Sequence, residues 1–228
     1  AISMAVDRWA EVRVVQGSGQ ASRLLAPAIG IDSLEFEWTD CQPVFSTAGL
    51  SPDRVKRLAL VKLALEDYAA RFARAPQHLS SLELEIDTSS FQSRAAQAKL
   101  GLGSSAAAAV AVVAGLRALG DATGHAAPVS ESIVTTAQRL HHQAQGGLGS
   151  GIDIATSFHG GVVCFQPGSE GPTDARTESL TWPKALELVP IYTGQAASTP
   201  KLVTQVQELK AADGASYDGI IGRMHEVA

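Results

Sequence analysis

Hydrophobic and polar residues alternate along residues 5–15 and again along 33–38, the period of a half-buried strand. The glycine-containing stretch between them, VQGSGQASR, reads as the turn region joining two antiparallel neighbours. From residue 52 to 75 the period lengthens: Leu58, Val61, Leu63, Ala64, Leu65 and Tyr68 fall on one helical stripe, with arginines and lysines opposite. Residues 82–86 alternate as a short strand, and the polar, irregular run 88–97 reads as a loop over a site. Helical spacing returns over 105–119, with Gly120 as its stop, and over 130–145, with Glu131 in the first turn. Glycines in the run 146–151 break that second helix, after which 152–158 predicts a short helical piece and 161–166 (GVVCFQ) a buried strand. Residues 186–193 predict another strand. Ser198, Thr199 and Pro200 then supply a cap and a first-turn proline for a helix running to residue 210.

Strands and helices mix without regular βαβ alternation, so the predicted class is α+β. A loop rich in Gly, Pro, Ser and Thr over 167–183 marks a domain boundary. The organisation expected is an N-terminal domain over 1–185 and the start of a second domain over 186–228. The chain begins without methionine and ends in a helical pattern with neither cap nor terminating glycine, so a fragment at both ends is expected.

Composition narrows the function. With 228 residues, 45% hydrophobic, and a net charge of −5, the chain can bury a substantial core. A mildly acidic balance without a long basic run argues against nucleic acid and anionic membrane surfaces and leaves small metabolites as partners; oligomeric state is open. Cys41 and Cys164 are far apart and lack metal-ligand spacing, which indicates neither a disulfide framework nor zinc and points to the cytoplasm. The longest apolar run, 106–116, is too short to span a membrane.

The chemistry concentrates in KLGLGSSAAAAV, residues 99–110. Gly101 and Gly103 permit backbone conformations and close approaches that a β-carbon blocks. Ser104 or Ser105 can cap the helix or face a ligand, and the first helical turn offers unpaired N–H groups and the positive end of a dipole. The alanines at 106–109 let the helix lie close against a sheet. A second small-residue turn, GSGID, presents Asp153 at the start of a helical piece. A carboxylate there stabilises a helix end; beside a phosphate loop it also has the position of a group that orients a hydroxyl nucleophile for phosphoryl transfer.

Together LGLGSSAAA, the GSGID turn and TGQAASTPKLV resemble the GHMP kinase superfamily. Within it, the pattern met by His141, Ala144, Gln145, Gly146, Gly149, Ser150, Gly151, Asp153 and Ala155 is most similar to the phosphomevalonate kinases. The resemblance implies a GHMP kinase fold of two domains with the C-terminal one incomplete. It also implies ATP-dependent phosphorylation with Mg²⁺ on the nucleotide and a small-molecule acceptor, phosphomevalonate or similar. By that analogy Lys99, Gly101, Leu102, Gly103, Ser104, Ser105 and Ala106 hold the nucleotide phosphates, and Ser105 is also the hydroxyl nearest Mg²⁺. Asp153 orients or deprotonates the acceptor, while Ser150, Gly151, His141, Ser198 and Thr199 lie on the substrate side.

The PGK and GEY signatures of the first family motif and the glycine-rich third motif are absent. His141 stands where mevalonate and homoserine kinases place a metal-binding glutamate, and a structural histidine reads as well there. Two other classes stay open: an oxidoreductase, because residues 101–106 fit GxGxxA, and a non-catalytic sensor on the kinase fold. Against the first, SRAAQAK is no hydrophobic strand leading into the glycines.

Overall fold

The computed structural model describes residues 1–72, 79–93, 98–123, 131–169, 171–189, 191 and 199–227. Strands β2 (Glu11–Gln16), β3 (Ser22–Ala26), β4 (Ile31–Thr39), β5 (Gln42–Phe45) and β6 (Leu82–Asp87) form one sheet in the order β2-β6-β3-β4-β5. Its β6–β3 pair is parallel and its other pairs are antiparallel. A second, antiparallel sheet has the order β1-β9-β10, from Ile2–Met4, Val162–Gln166 and Arg176–Leu180. Strands β7 (Gln92–Ser93) and β8 (Ala98–Lys99) make a small antiparallel ribbon. This mixture is the expected α+β class.

Alternation places the core. On β6, Leu82, Leu84 and Ile86 are buried while Glu83, Glu85 and Asp87 are exposed. The opposite face carries Arg13 paired in register with Glu85, and Arg23 with Glu83, so it stays in water. The buried face packs on helices α2 (Ala59–Phe72) and α3 (Ser104–Ala122).

Several strand expectations require correction. Of the alternation expected over 5–15 only residues 11–15 are strand, within β2, which pairs with β6; residues 5–10 are in no strand, and β1, which precedes them, pairs with β9. Strands β2 and β4 are not neighbours, because β6 and β3 lie between them. The expected turn region runs into β3, where Ser22, Leu24 and Ala26 face the core; the buried Ser22 Oγ accepts the Leu82 N–H at 3.0 Å. Its hydroxyl is satisfied by that bond, so a polar residue fits an apolar face. The partner of β4 after the hairpin is β5, reached through Asp40 and Cys41 at φ 51° and 64°, the left-handed pair that suits a two-residue hairpin. The 167–183 loop contains β10, and residues 186–189 and 191 are not in a strand. Residues 190, 192 and 193 of that expected strand lie outside the described residues.

The helix expected over 52–75 is two helices, α1 (Pro52–Arg57) and α2, separated at Leu58, and residues 73–75 lie outside the described residues. Helix α3 does not stop at Gly120 but runs through it to Ala122. It lies close against the sheet at Gly115, where a β-carbon would stand 3.0 Å from Val14 Cγ2 and 3.3 Å from Val12 Cγ1. Among the described residues α3 is the one helix long and apolar enough to cross a membrane, which the residue count for 106–116 understated. Its Ala106, Ala109, Val112, Val113 and Leu116 are spent on the core instead.

Helix α4 (Ile133–Ala144) is capped by Ser132, whose Oγ accepts the Thr135 N–H at 3.1 Å, so Glu131 precedes the helix rather than lying in its first turn. From there its carboxylate receives Arg71 at 2.6 Å and Arg139 at 3.0 Å, and both arginines also bind Asp67 at 2.6 Å. This network ties α2 to α4. Helix α5 spans Ile152–His159.

The chain divides into two compact units, Ala1–Ile191 and Tyr192–Ala228. The second holds α6 (Thr199–Ala212) and α7 (Gly214–Val227). Asp213 joins them, donating its N–H to Leu209 O at 2.8 Å and accepting the Ser216 N–H at 3.0 Å.

Candidate active site

The loop before α3 takes its shape from two left-handed glycines, Gly101 at φ 74° and Gly103 at φ 79°. Gly103 is the N-cap, and no side chain caps the helix, so neither Ser104 nor Ser105 has the capping role expected of it. Both are already helical; Ser104 is buried and Ser105 exposed. The first intrahelical bond runs from Ala107 N–H to Gly103 O at 3.1 Å. The N–H groups of Ser104, Ser105 and Ala106 are therefore left without intrahelical acceptors at the positive end of a 19-residue helix. Ala106 is fully buried and offers only its backbone, whereas Leu102 is exposed.

Two cavities flank this helix start. One, of about 360 Å³, is bounded by Ala26, Ile29, Arg57, Thr88, Lys99, Ser104, Ser105 and His141. Lys99 is exposed at its mouth; the low-dielectric wall behind its amine, and then repulsion from Arg57, lower its pKa from the ordinary lysine value. The other cavity, of about 620 Å³, is bounded by Gly103, Ala107, Asp153, Thr156 and Ser157 on one side and by the segment from Ala5 to Ala10 on the other. That segment is braced: Trp9 N–H donates to Ser90 Oγ at 3.0 Å, and its indole N–H to Asp7 Oδ1 at 3.0 Å.

Asp153 is half-buried in the first turn of α5, whose N-cap is Gly151 at φ 82°. One carboxylate oxygen, Oδ1, accepts the Ile154 N–H at 3.0 Å. Ser150 Oγ accepts the Ile152 N–H at 3.4 Å. His141 is 4% exposed, with Nε2 3.2 Å from Ser105 Oγ and 3.2 Å from the side-chain nitrogen of Gln145. Burial pulls its pKa down and His142 adds to this, while the nearby Asp153 carboxylate opposes it; the net direction is downward, which keeps the imidazole neutral at neutral pH.

The expected residues are thus distributed over two faces. Lys99, Ser104, Ser105 and His141 share the first cavity, and Gly103 shares the second with Asp153. Gly151 and Asp153 meet His141 in a small crevice. Ser198 and the side chain of Thr199 lie outside the described residues. Sequence reasoning missed Arg57 and Arg8, which line the first and second cavities, because isolated arginines carry no motif. It also gave no role to Gln145, although that residue stands one helical turn after His141. Among the described residues no cluster of three or more His, Cys, Asp or Glu is placed to hold a metal ion.

Residues 59–161 match the family described as GHMP kinases N terminal domain. The fold is similar to that in the crystal structure of L. major mevalonate kinase in complex with R-mevalonate, with a TM-score of 0.56 and 18% sequence identity over 99% of this chain and 61% of that one. The chain therefore spans less than two thirds of that mevalonate kinase. No curated protein matches the sequence. Over residues 59–161 the chain is thus similar to the GHMP kinases N terminal domain, in line with the motif reading, and the likeness to the mevalonate kinase is one of fold.

Proposed function

We propose that this protein is an ATP-dependent small-molecule kinase of the cytoplasm that transfers the γ-phosphoryl group to phosphomevalonate. The observation that carries the reading is the position of the α3 N-terminus between two cavities, with Ser105 and Lys99 on one side and Gly103 and Asp153 on the other. A phosphate chain held at that helix end would share with the carboxylate the cavity that Gly103 and Asp153 line. The unpaired N–H groups of Ser104, Ser105 and Ala106 bind phosphate oxygens, and Lys99 offsets their charge. Asp153 keeps Oδ1 on the helix backbone and has Oδ2 to orient the acceptor hydroxyl and receive its proton as the oxygen attacks phosphorus. Magnesium carried by the nucleotide neutralises charge on the phosphates, and Ser105 Oγ is the protein group that would hold it. The braced segment from Ala5 to Ala10 walls the acceptor side and limits water there.

The acceptor assignment rests on the pattern from His141 to Ala155. A second reading, mevalonate as acceptor, is favoured by the fold likeness to a protein solved with R-mevalonate. ADP release measured with phosphomevalonate, mevalonate and a sugar panel separates the two. Turnover with a sugar alone would overturn both acceptors, and nucleotide binding without turnover on any acceptor would leave the protein a ligand sensor on this fold.

A further inference from the structure

The cavity that Asp153 shares with Gly103 has a single cation among its described lining residues, Arg8, and the backbone that carries it is pinned at both ends. At one end Ala5 N–H donates to Gly161 O at 2.8 Å. At the other, Ser90 grips Trp9 twice: its Oγ accepts the Trp9 N–H at 3.0 Å and donates to Trp9 O at 2.6 Å. Between these anchors the chain turns, with Arg8 N–H on Val6 O at 2.7 Å. Arg8 therefore stands on a backbone that is set before any ligand arrives. Its charge is unspent. Of the N–H groups of its guanidinium, the described bonds use one on Nη1, which donates to Asp7 O. The residue is exposed, and no ion pair among the described residues includes it. The Asp7 carboxylate beside it is engaged elsewhere, since Oδ1 accepts the Trp9 indole N–H. Asp7 and Asp153 both line the cavity, so an anion entering it is repelled by two carboxylates and attracted at one place.

We infer that Arg8 binds an oxyanion of the acceptor, a carboxylate or a phosphate, and holds the molecule by that end while its hydroxyl lies at Asp153. The site then selects a hydroxy acid or a phosphorylated alcohol over a neutral sugar. Arginine suits the task because its planar fork meets two oxygens of one anion at once. The inference rests on the kinase reading and assigns a residue to the charged end of its acceptor.

The test compares the full chain with Arg8→Gln and Arg8→Lys, each shown to be folded by circular dichroism. Calorimetry measures binding of phosphomevalonate, mevalonate and Mg-ATP, and ADP release gives KM and kcat for each acid. Arg8→Gln is expected to weaken phosphomevalonate binding and raise its KM by about ten- to a hundredfold, the worth of a charged hydrogen bond. Turnover at saturation and Mg-ATP affinity should be nearly unchanged, because the contact is the same before and during phosphoryl transfer. Arg8→Lys should recover part of the loss, since it restores the charge without the fork. An equal loss with mevalonate places the carboxylate on Arg8, and a loss confined to phosphomevalonate places the phosphate there. Unchanged binding of both acids would overturn the inference, and so would a matching loss of Mg-ATP affinity, which would put Arg8 on the nucleotide. If the acids bind without turnover, the kinase reading fails, while their weaker binding to Arg8→Gln still supports the anion site. A wild type that binds neither acid would sink the inference.

Discussion

Gly120 of α3 lies against the ring of Phe72 on α2, so close that a β-carbon would stand 2.4 Å from Phe72 Cδ1 and 2.5 Å from Cε1. Phe72 is 4% exposed, so its ring is held in the packed core. The contact sets how near the two helices can approach and explains a glycine in the body of a helix.

Gly120→Ala is therefore expected to destabilise the protein although alanine is the better helix former. Relief of glycine's backbone penalty contributes about 1 kcal/mol, and overpacking costs about 1–3 kcal/mol. The net loss, up to about 2 kcal/mol, is read from the urea midpoint at unchanged m-value. A midpoint equal to or above wild type would show that the ring yields.

The network of Asp67, Arg71, Glu131 and Arg139 makes stability depend on acid. Burial pushes the Glu131 carboxyl up, but the hydrogen bond and charge of Arg139, with the bonds from Arg71 and Thr136, outweigh it and lower the pKa. A folded-state value below the unfolded one, about 4.3, gives stability present above that pH and lost as pH falls through the folded value. Glu131→Gln should cost about 1–2 kcal/mol at neutral pH, because it leaves two arginines short of an acceptor. The gap between variant and wild type should shrink as pH is lowered below 4. Urea unfolding at several pH values measures it, and a constant gap would mean that the carboxylate charge is not the source.

At Gly103 a β-carbon meets no protein atom within 4 Å, so the space above it is open to a ligand. Gly103→Val has to place a β-branched side chain at φ +79°, a backbone strain of about 1–2 kcal/mol. It should also block phosphate approach and lower Mg-ATP affinity by roughly tenfold or more. Calorimetry on a variant shown to be folded by circular dichroism decides it; wild-type affinity would remove this loop from the phosphate site.

Asp153→Asn keeps an oxygen for the Ile154 N–H, so the fold and the Mg-ATP affinity should be spared. Loss of the acceptor for the hydroxyl proton should lower kcat by about 10²–10⁴-fold with little change in KM for ATP. If the residue serves only as a helix-end charge, the variant loses about 0.3–1 kcal/mol of stability and keeps its turnover. Steady-state ADP release beside a thermal melt distinguishes these outcomes.

The sequence by itself determined the parts that depend on local chemistry. Period-2 alternation set β6, and the period of the α2 stripe set its buried face, because one side of each element must leave water. Two glycines opening an alanine-rich run announced a helix start at residue 105, one residue after the observed start at Ser104, since left-handed backbone and a free first turn are properties of a short segment. Partner choice was beyond local reading. That β6 and β3 separate β2 from β4 depends on which strands share one buried layer, and alternation says which face is buried without saying who lies alongside. Gly120 read as a stop because its reason for being glycine, the Phe72 ring, sits on another helix. Ser105 gained its partner in the same way: His141 is 36 residues away in the chain and 3.2 Å away in space, and only the packing of α4 on α3 joins them.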